Sequence, residues 1–422
     1  MAQALDALGW TTLLSTEAEG AEAAVQDLPL EAAVVVLDGT ADFASLPRRL
    51  RQAAHPRRLP VVALAEPGPA LDALGFDLVL APPAHPAQIA ARLETLVRAA
   101  VSEEEFELRA QTLAARGAFV QPPAGAEGPG LQVLTVGEPA PKFLALAHAL
   151  AEGGAEVTAA LTAYTAFDYL HERAFDAVVL WTGQAHAEAL SIAGGMRRNT
   201  RLYHIPTVLY GRQGVEVGLD EAFAKGLSDV AHAEVAPAAA AGRILSLARA
   251  HRRAQALRDA LSAGREPGLM DAATGLFTRD LFAAHLGRLA RDLPARRRAL
   301  SVAVLRAAPR ALTSRMVRDD GWFERAMPQI GSMIGRLVRV EDTAARLSAD
   351  VFALALPGSR LAAAQAAAER IAAVIGCTAF EAGADRPPFT VEFAVGAAEL
   401  MPGESPATAL ERAAEGGLRR AG

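Results

Sequence analysis

The sequence contains a single cysteine, Cys377, in 422 residues. One cysteine excludes an internal disulfide framework and fits a reducing compartment. No apolar run approaches the length of a membrane span, and no signal peptide opens the sequence. The formal net charge is −6, so the basic surface typical of nucleic-acid-binding proteins is lacking. We therefore expect a cytoplasmic protein of about three domains, at roughly 150 residues per domain, with no nucleic-acid partner and no membrane insertion.

Residues 1–100 alternate strand and helix patterns. Strands are predicted at 11–15, 32–37, 59–64 and 76–80, and most of them are apolar throughout. Strands buried on both faces that alternate with helices predict an α/β domain built on a doubly wound parallel sheet. A long helical pattern follows at 84–116, and we interpret its acidic residues 103–105 as a solvated helix face. Residues 117–130 are rich in Pro, Gly and Ala and form a linker.

The same pattern returns after this linker, with a period of about 130 residues. Its strands are predicted at 131–136, 156–160, 177–180, 205–210 and 229–231. One long helix at 237–262 then carries several arginines and leads to a third domain. The two units therefore form an internal repeat of fold.

Both repeats resemble response-regulator receiver domains, which have a flavodoxin-like fold. In the first copy, Asp38 matches the phosphoacceptor at the end of the third strand. Ala65 and Pro82 stand where the family has Thr or Ser and Lys, and the family's first strand is missing. Asp38 is thus a doubtful phosphoacceptor, and the alternative is that it ends a strand or begins a helix.

The second receiver-like copy departs further from the family. Trp181 stands at the phosphoacceptor position, Val136 and Gly137 at the acidic pair, and Ala233 at the lysine. Tryptophan cannot accept a phosphoryl group. The resemblance therefore implies a chemically silent domain that serves as a dimerisation or docking surface.

The third domain carries three motifs. Residues 271–279 read Asp271-Ala-Ala-Thr-Gly-Leu-Phe-Thr-Arg279; Arg339 and Asp342 form an Arg-x-x-Asp pair; and residues 348–352 read Ser-Ala-Asp-Val-Phe. Pattern alone predicts a helix end before Arg339, a strand after Asp342 and a hairpin tip at 348–350. These motifs resemble the GGDEF domain, the diguanylate cyclase fold, with its Asp-x-Leu-Thr-Gly-Leu-x-Asn-Arg entry motif.

Cyclases of this family join two GTP molecules, with carboxylates holding Mg²⁺ against the triphosphate. The family's Gly-Gly turn lets the nucleotide lie close to the backbone. Here Ser348 and Ala349 add side chains at that turn, Val351 replaces the glutamate, and Arg306 stands where the first strand should supply the other metal carboxylate. No Asp or Glu lies between residues 292 and 319, so realignment cannot restore that ligand.

Of the metal-type carboxylates only Asp350 remains, and a solvated turn residue is the alternative interpretation. Further departures from the family fall near Arg315 and Glu324 in the substrate region and at Ala414 and Ala421 in the last helix. We expect no metal site, no required cofactor and no diguanylate cyclase activity.

The resemblance also implies a product site, where the family binds cyclic di-GMP. Its residues correspond to Arg339, Asp342 and Arg370. Arginine forks pair with guanine edges and phosphates, while a carboxylate accepts from the guanine N1 and N2 donors. The alternative is that Arg339 and Asp342 form only a surface ion pair, worth under about 1 kcal/mol.

The order receiver–receiver–GGDEF resembles the PleD class of response regulators. The predicted division is 1–100 receiver-like domain, 101–130 helix extension and linker, 131–250 second receiver-like domain, 251–267 linker helix and 268–422 degenerate GGDEF domain. The resemblance implies a cyclic di-GMP effector, expected as a homodimer, which acts as an adaptor at the cell pole and couples the ligand to regulated proteolysis by a Clp-type protease. The alternatives are a residual or heterodimeric cyclase and a phosphorylation-responsive scaffold.

Overall fold

The structure, a computed structural model, divides the chain into two compact units. The first unit comprises Met1–Ala53, Leu59–Ala100 and Pro123–Ala256, and the second comprises Ala54–Arg58, Val101–Pro122 and Leu257–Gly422. The described residues are 1–37, 45–65, 74–80, 84–121, 130–182, 186–199, 201–211, 218–263, 268–309, 321–381 and 387–421.

The first part of the first unit is a parallel sheet in the order β1-β2-β3. Val62, Leu64 and Leu80 pack there with Ile89 and Leu93 of the long helix that follows. The elements are α1 (Ala2–Ala7), α2 (Ala18–Asp27), β1 (Ala33–Val36), α3 (Leu46–Ala54), β2 (Val61–Leu64), β3 (Leu78–Leu80) and α4 (Pro86–Ala114).

The rest of the first unit is a five-stranded parallel sheet in the order β5-β4-β6-β7-β8. This is the flavodoxin-like order, in which the chain reverses direction beside its first strand. The elements are β4 (Leu131–Val136), α5 (Pro141–Glu152), β5 (Ala155–Ala160), α6 (Ala163–Glu172), β6 (Ala177–Thr182), α7 (Ala187–Arg198), β7 (Thr207–Gly211), α8 (Leu219–Ala224), β8 (Asp229–His232) and α9 (Pro237–Ala263).

A buried aspartate joins the two halves of the first unit. The Asp229 side chain, 1% exposed, accepts from Arg92 at 2.9 Å and from Arg243 at 2.6 Å. Gln88 of α4 also donates to it. A buried carboxylate is stable only when it is paired and hydrogen-bonded, so these contacts fix the first turns of α4 against β8 and α9.

The second unit is built on an antiparallel sheet in the order β10-β11-β9-β12. The second half of α4 and the last residues of α9 belong to this unit. Its other elements are α10 (Arg279–Asp292), β9 (Leu300–Pro309), α11 (Trp322–Leu337), β10 (Thr343–Arg346), β11 (Val351–Pro357), α12 (Leu361–Gly376), β12 (Val391–Glu399) and α13 (Pro406–Ala421).

Side chains alternate along the central strands and so point to both faces of this sheet, and helices cover each face. Leu305 of β9 and Phe352 of β11 point to one face, where α11 and α12 pack. Val304 and Ala353 point to the other face, against α10 and α13. Leu108 and Leu113 of α4 join this second core.

These results confirm the predicted α/β fold class. The strands expected at 32–37, 59–64 and 76–80 are present but shorter, and those of the second repeat are all present. The helix end before Arg339, the strand after Asp342 and the hairpin tip at 348–350 are confirmed. In the described ranges no helix is both long and apolar enough to cross a membrane.

Two sequence predictions are wrong. Residues 11–15 form no strand: Thr12 instead donates through its amide and hydroxyl to Asp6 Oδ1, and Leu14 is 80% exposed. A strand needs a neighbour for its backbone groups, and the described strands of this sheet pair only with one another. The acidic residues 103–105 are not a solvated face either, because Glu104 and Glu105 are each 1% exposed.

We predict that Gly331→Ala destabilises the second unit. A Cβ at this position of α11 would collide with the backbone of Thr274, so the helix and the 271–276 loop must move apart. We expect a loss of about 1–3 kcal/mol in the free energy of unfolding, measured by urea denaturation.

Gly335→Ala, one turn later, is the matched control. Its nearest new neighbour is Leu276 Cδ2 at 3.7 Å, an ordinary contact. Since alanine favours helices over glycine, this variant should be neutral or more stable by up to about 1 kcal/mol. Equal effects of the two substitutions would contradict the close approach of helix and loop.

Candidate functional site

The turn between α11 and β10, residues 338–342, is here called the ligand turn. Asp342 closes it from both sides: its Oδ2 accepts from the Arg339 amide at 2.9 Å, and its own amide donates to the Arg339 carbonyl at 3.2 Å. The Asp342 side chain is held inside, with the residue 7% exposed, whereas the Arg339 side chain is 42% exposed. The turn thus presents a cation outward and a carboxylate inward.

A cavity of roughly 100 Å³ lies beside the ligand turn. Arg109 of α4, Arg258 of α9, Arg339 and Asp342 contribute its charged side chains. The remaining wall comes from the 270–277 loop, from Gly335 and from the ligand turn and β10: Met270, Gly275, Leu276, Phe277, Gly335, Val338, Val340, Thr343 and Ala344.

Asp342 is the unusual group of this cavity. Its Oδ1 is buried and has no hydrogen-bond partner among the residues that the structure describes. Burial, reinforced by the negative charge of Glu341, raises the pKa of Asp342 to about 7. The Arg339 amide and the charges of Arg339 and Arg109 oppose this rise without cancelling it. The site therefore holds a buried carboxyl oxygen without a partner in the part of the chain that the structure describes, which in the ionised form of Asp342 can accept from a hydrogen-bond donor outside the protein.

Arg109 contacts the ligand turn from behind. Its Nη2 lies 3.3 Å from the Val340 carbonyl, 3.4 Å from that of Glu341 and 3.3 Å from that of Asp342. Ser102, on the same helix, donates to Glu341 Oε2 at 3.1 Å. The helix thus contacts three successive residues of the turn.

Arg370, the third predicted ligand residue, lies on α12 and is exposed. Its Nη2 donates to the Leu337 carbonyl at the end of α11, at 3.3 Å. The structure thus brings Arg370 next to the ligand turn but outside the cavity wall. Arg339 and Asp342 line the cavity themselves.

The predicted catalytic positions meet at the other end of the sheet. In the pairing of β11 with β9, Val351 lies opposite Arg306, so the two positions predicted from the sequence to align with metal carboxylates are neighbours. Arg306 Nε lies 3.4 Å from Asp350 Oδ2, and Ser348 donates to Asp350 Oδ1 at 3.3 Å. Mg²⁺ prefers carboxylate oxygens, and here one aspartate stands beside an arginine and a valine. These residues therefore do not fit a Mg²⁺ site.

Arg346 binds the hairpin tip through hydrogen bonds to its backbone. This side chain, 9% exposed, donates to the carbonyls of Ser348 at 3.1 Å and Ala349 at 2.9 Å, and pairs with Glu324 at 2.7 Å. Arg346 also lies 3.6 Å from Asp271 of the entry motif. In the described part of the chain, no three His, Cys, Asp or Glu side chains cluster as metal ligands would.

In the first unit, Trp181 lies near the end of β6 and is 8% exposed. Its ring stacks on Phe143 at 5.4 Å and is tilted against Tyr210 at 5.6 Å. Gly137, with φ +138°, passes so close that an added Cβ would lie 2.8 Å from the Trp181 Cβ. Trp181 is the residue predicted from the sequence to align with the phosphoacceptor of receiver domains. Asp38, Pro82 and Arg315 lie outside the described residues.

Residues 323–421 match the family model described as "Diguanylate cyclase, GGDEF domain". The C-terminal part of the chain carries a GGDEF domain. The match includes the ligand turn, the hairpin tip and Arg370, whereas Arg306 and the entry motif precede it. Proteins of this domain family are normally diguanylate cyclases.

Several solved structures are similar to parts of the chain. The GGDEF domain of DgcB from Caulobacter crescentus, solved in complex with c-di-GMP, is 21% identical, with a TM-score of 0.34, over 37% of this chain and 89% of that one. The FimX GGDEF domain from Pseudomonas aeruginosa is 19% identical, with a TM-score of 0.33, over 37% and 96%. The chemotaxis response regulator CheY4 of Vibrio cholerae is 15% identical, with a TM-score of 0.26, over 28% and 98%. No curated protein matches the chain.

Sequence reasoning missed Arg109 and Arg258 as residues of the GGDEF domain's cavity. One signal was available for Arg109: Glu105 and Arg109 are spaced as an i,i+4 pair and lie among the buried residues Leu108 and Leu113 of the same helix. Charges on an apolar helix face indicate a buried pair. Nothing in the sequence indicated which surface would cover them.

We predict that protonation of Asp342 makes the stability of the GGDEF domain depend on pH. Because the folded-state pKa, about 7, exceeds the ordinary value of 3.8, the folded protein retains this proton in the window between them. The stabilisation that this proton gives the folded state is complete below about pH 4 and is lost as the pH rises through 7. The free energy of unfolding falls by up to about 1.4 kcal/mol per pH unit in this window. As the pH rises across this window, the free energy of unfolding of the wild type should fall relative to that of Asp342→Asn.

Glu341→Gln provides a second arm of this test. It removes the neighbouring negative charge, so the pKa of Asp342 should fall and the pH-dependent window should move to lower pH. Parallel stability curves for the wild type and Asp342→Asn would show that Asp342 titrates normally.

Proposed function

We propose that this protein is a catalytically inactive receptor for cyclic di-GMP that binds the ligand at Arg339, Asp342 and Arg370. The observation that carries the proposal is Asp342, a buried carboxylate with an unsatisfied oxygen in a cavity lined by arginines, within a GGDEF domain. DgcB, which is similar to the C-terminal domain, was solved in complex with c-di-GMP.

The ligand chemistry suits this arrangement. Cyclic di-GMP carries two phosphates and two guanines, so it needs cations for the phosphates and a carboxylate for the guanine N1 and N2 donors. Asp342 Oδ1 supplies the acceptor, and Arg339 supplies an exposed guanidinium beside it. The cavity is small, so a guanine edge would enter it while the phosphates stay on the surface near Arg339 and Arg370.

The proposed loss of catalysis rests on the hairpin end of the sheet. A cyclase needs two carboxylate positions for Mg²⁺, and here they are Arg306 and Val351, opposite each other in the sheet. Asp350, the carboxylate that remains, already has the Arg306 guanidinium at 3.4 Å. An arginine in this position repels Mg²⁺ and competes with it for the same oxygen.

We extend the proposal to the whole chain on the resemblance alone. The protein would be a PopA-like regulator of the PleD class with the five-part domain division given above, cytoplasmic and directed to the cell pole. It would act as a homodimer and as an adaptor that couples cyclic di-GMP to proteolysis by a Clp-type protease in cell-cycle control. The second receiver-like domain, with Trp181 in its former phosphoacceptor site, would serve in docking.

We predict that Arg339→Ala weakens cyclic di-GMP binding by more than about 2 kcal/mol, roughly thirtyfold, in isothermal titration calorimetry. The substitution removes a charged fork and leaves a guanine edge or phosphate unpaired. Folding should be little affected, because the side chain is exposed at the surface.

Arg336→Ala is the matched control for this measurement. Arg336 is an exposed arginine of the same helix end, and its side chain bonds only Ser332 among the contacts described. It should bind like the wild type. Tight binding by Arg339→Ala would place the site elsewhere, and a wild type that does not bind would refute the receptor function.

We also predict that the purified protein makes no cyclic di-GMP from GTP and Mg²⁺, with an active diguanylate cyclase as the positive control. Asp350→Ala separates true turnover from contamination, since only turnover by this protein would depend on Asp350. Product that disappears in Asp350→Ala would overturn the proposal and favour a residual cyclase.

A further inference from the structure

A buried polar network connects the second half of α4 to the GGDEF domain. Glu105 is 1% exposed, and its Oε1 lies 2.7 Å from Arg109 Nη2 and 2.8 Å from His285 Nε2. The same oxygen accepts from the Thr343 hydroxyl at 3.3 Å, and Thr112 lies 3.1 Å from His285 Nδ1. Three elements thus share one carboxylate: α4, α10 and β10, of which only β10 lies within the family-matched residues.

The charge of Glu105 is favoured in this setting. Burial alone would raise the pKa of Glu105, but the charges and hydrogen bonds of His285 and Arg109 outweigh burial and hold the pKa below its ordinary value. An ionised Glu105 in turn fixes the orientation of the Arg109 guanidinium, because turning the guanidinium away would break a buried ion pair.

Arg109 passes this restraint on to the ligand turn. Its Nη2 points at the three carbonyls of Val340, Glu341 and Asp342, at 3.3–3.4 Å each. Buried carbonyls need hydrogen-bond donors, and the guanidinium is a charged donor within reach of all three, so it restrains the path of the turn. The path of the turn in turn sets the direction of the Asp342 and Arg339 side chains.

We propose that Arg109 is a positioning residue of the cyclic di-GMP site: it holds the ligand turn in its binding conformation without being the ligand's main contact. The inference rests on the proposed function, because the ligand is the one proposed there. It adds that the site is incomplete without residues 101–114, which lie more than two hundred positions before the Arg-x-x-Asp pair.

The test uses the full-length protein and cyclic di-GMP. Arg109→Met keeps the stem of the side chain but removes the donors, and Arg109→Lys keeps one charge. We expect Arg109→Met to bind roughly tenfold or more weakly and Arg109→Lys to lie between it and the wild type, in isothermal titration calorimetry. Hydrogen exchange without ligand should show faster exchange of the amides of residues 339–343 in Arg109→Met.

Arg288→Met is the matched control. Arg288 of α10 donates to Thr112 and Gln111 of the same helix, both at 3.0 Å, but makes no described contact with the ligand turn. It tests whether loosening the helix is enough to weaken binding. It should leave both the affinity and the turn amides within about twofold of the wild type.

The outcomes separate the two proposals. A folded Arg109→Met variant with wild-type affinity and protected turn amides would overturn the positioning role, and so would an equal loss in Arg288→Met. Should Arg109→Met fail to fold, Arg109→Lys decides by the same two readouts. A wild type that does not bind refutes the receptor function, whereas hydrogen exchange still reports whether Arg109 orders the turn.

Discussion

Pairing of buried carboxylates on one helix is the constraint on which the second unit depends. Glu104 and Glu105 lie inside the protein, where an uncompensated charge costs several kcal/mol. Glu104 is met by the Arg298 guanidinium at 3.2 Å and by the Arg58 amide at 2.6 Å, and Glu105 by Arg109 and His285. A shift of the helix by one residue would break all these pairs together. Its register on the GGDEF domain is therefore strongly specified, and with it the place of Arg109 behind the ligand turn.

The antiparallel sheet separates two groups of polar side chains. At one end, the β9–β11 register puts Arg306 and Val351 opposite each other, with the Asp350 carboxylate 3.4 Å from Arg306. At the other, the turn before β10 keeps its carboxylate buried and its arginine exposed. The two ends are connected by the strands, whose alternating side chains fill both cores, and by the 270–277 loop, which lines the cavity and places Asp271 3.6 Å from Arg346.

In the first unit, too, a buried carboxylate is paired with arginines. Asp229 holds Arg92 and Gln88 from the helix of one repeat and Arg243 from the helix of the next. Beside the five-stranded sheet, Trp181 packs against its aromatic neighbours Phe143 and Tyr210. These three rings belong to one apolar core of the first unit.

The sequence by itself determined the fold class, most strands, the hairpin and the Arg-x-x-Asp turn, because these depend on local period and on short motifs. It misjudged residues 11–15 and Glu103–Glu105, since neither a strand's neighbour nor the surface that covers a helix is encoded nearby. Arg109 and Arg258 belong to the cavity for the same reason: chain folding brings them to Asp342 from far away in sequence. Only the tertiary structure could decide that the carboxyl group of Asp342 is buried and that its pKa is raised, because the pKa reflects desolvation and charges from two separate parts of the chain, the ligand turn and Arg109 of α4.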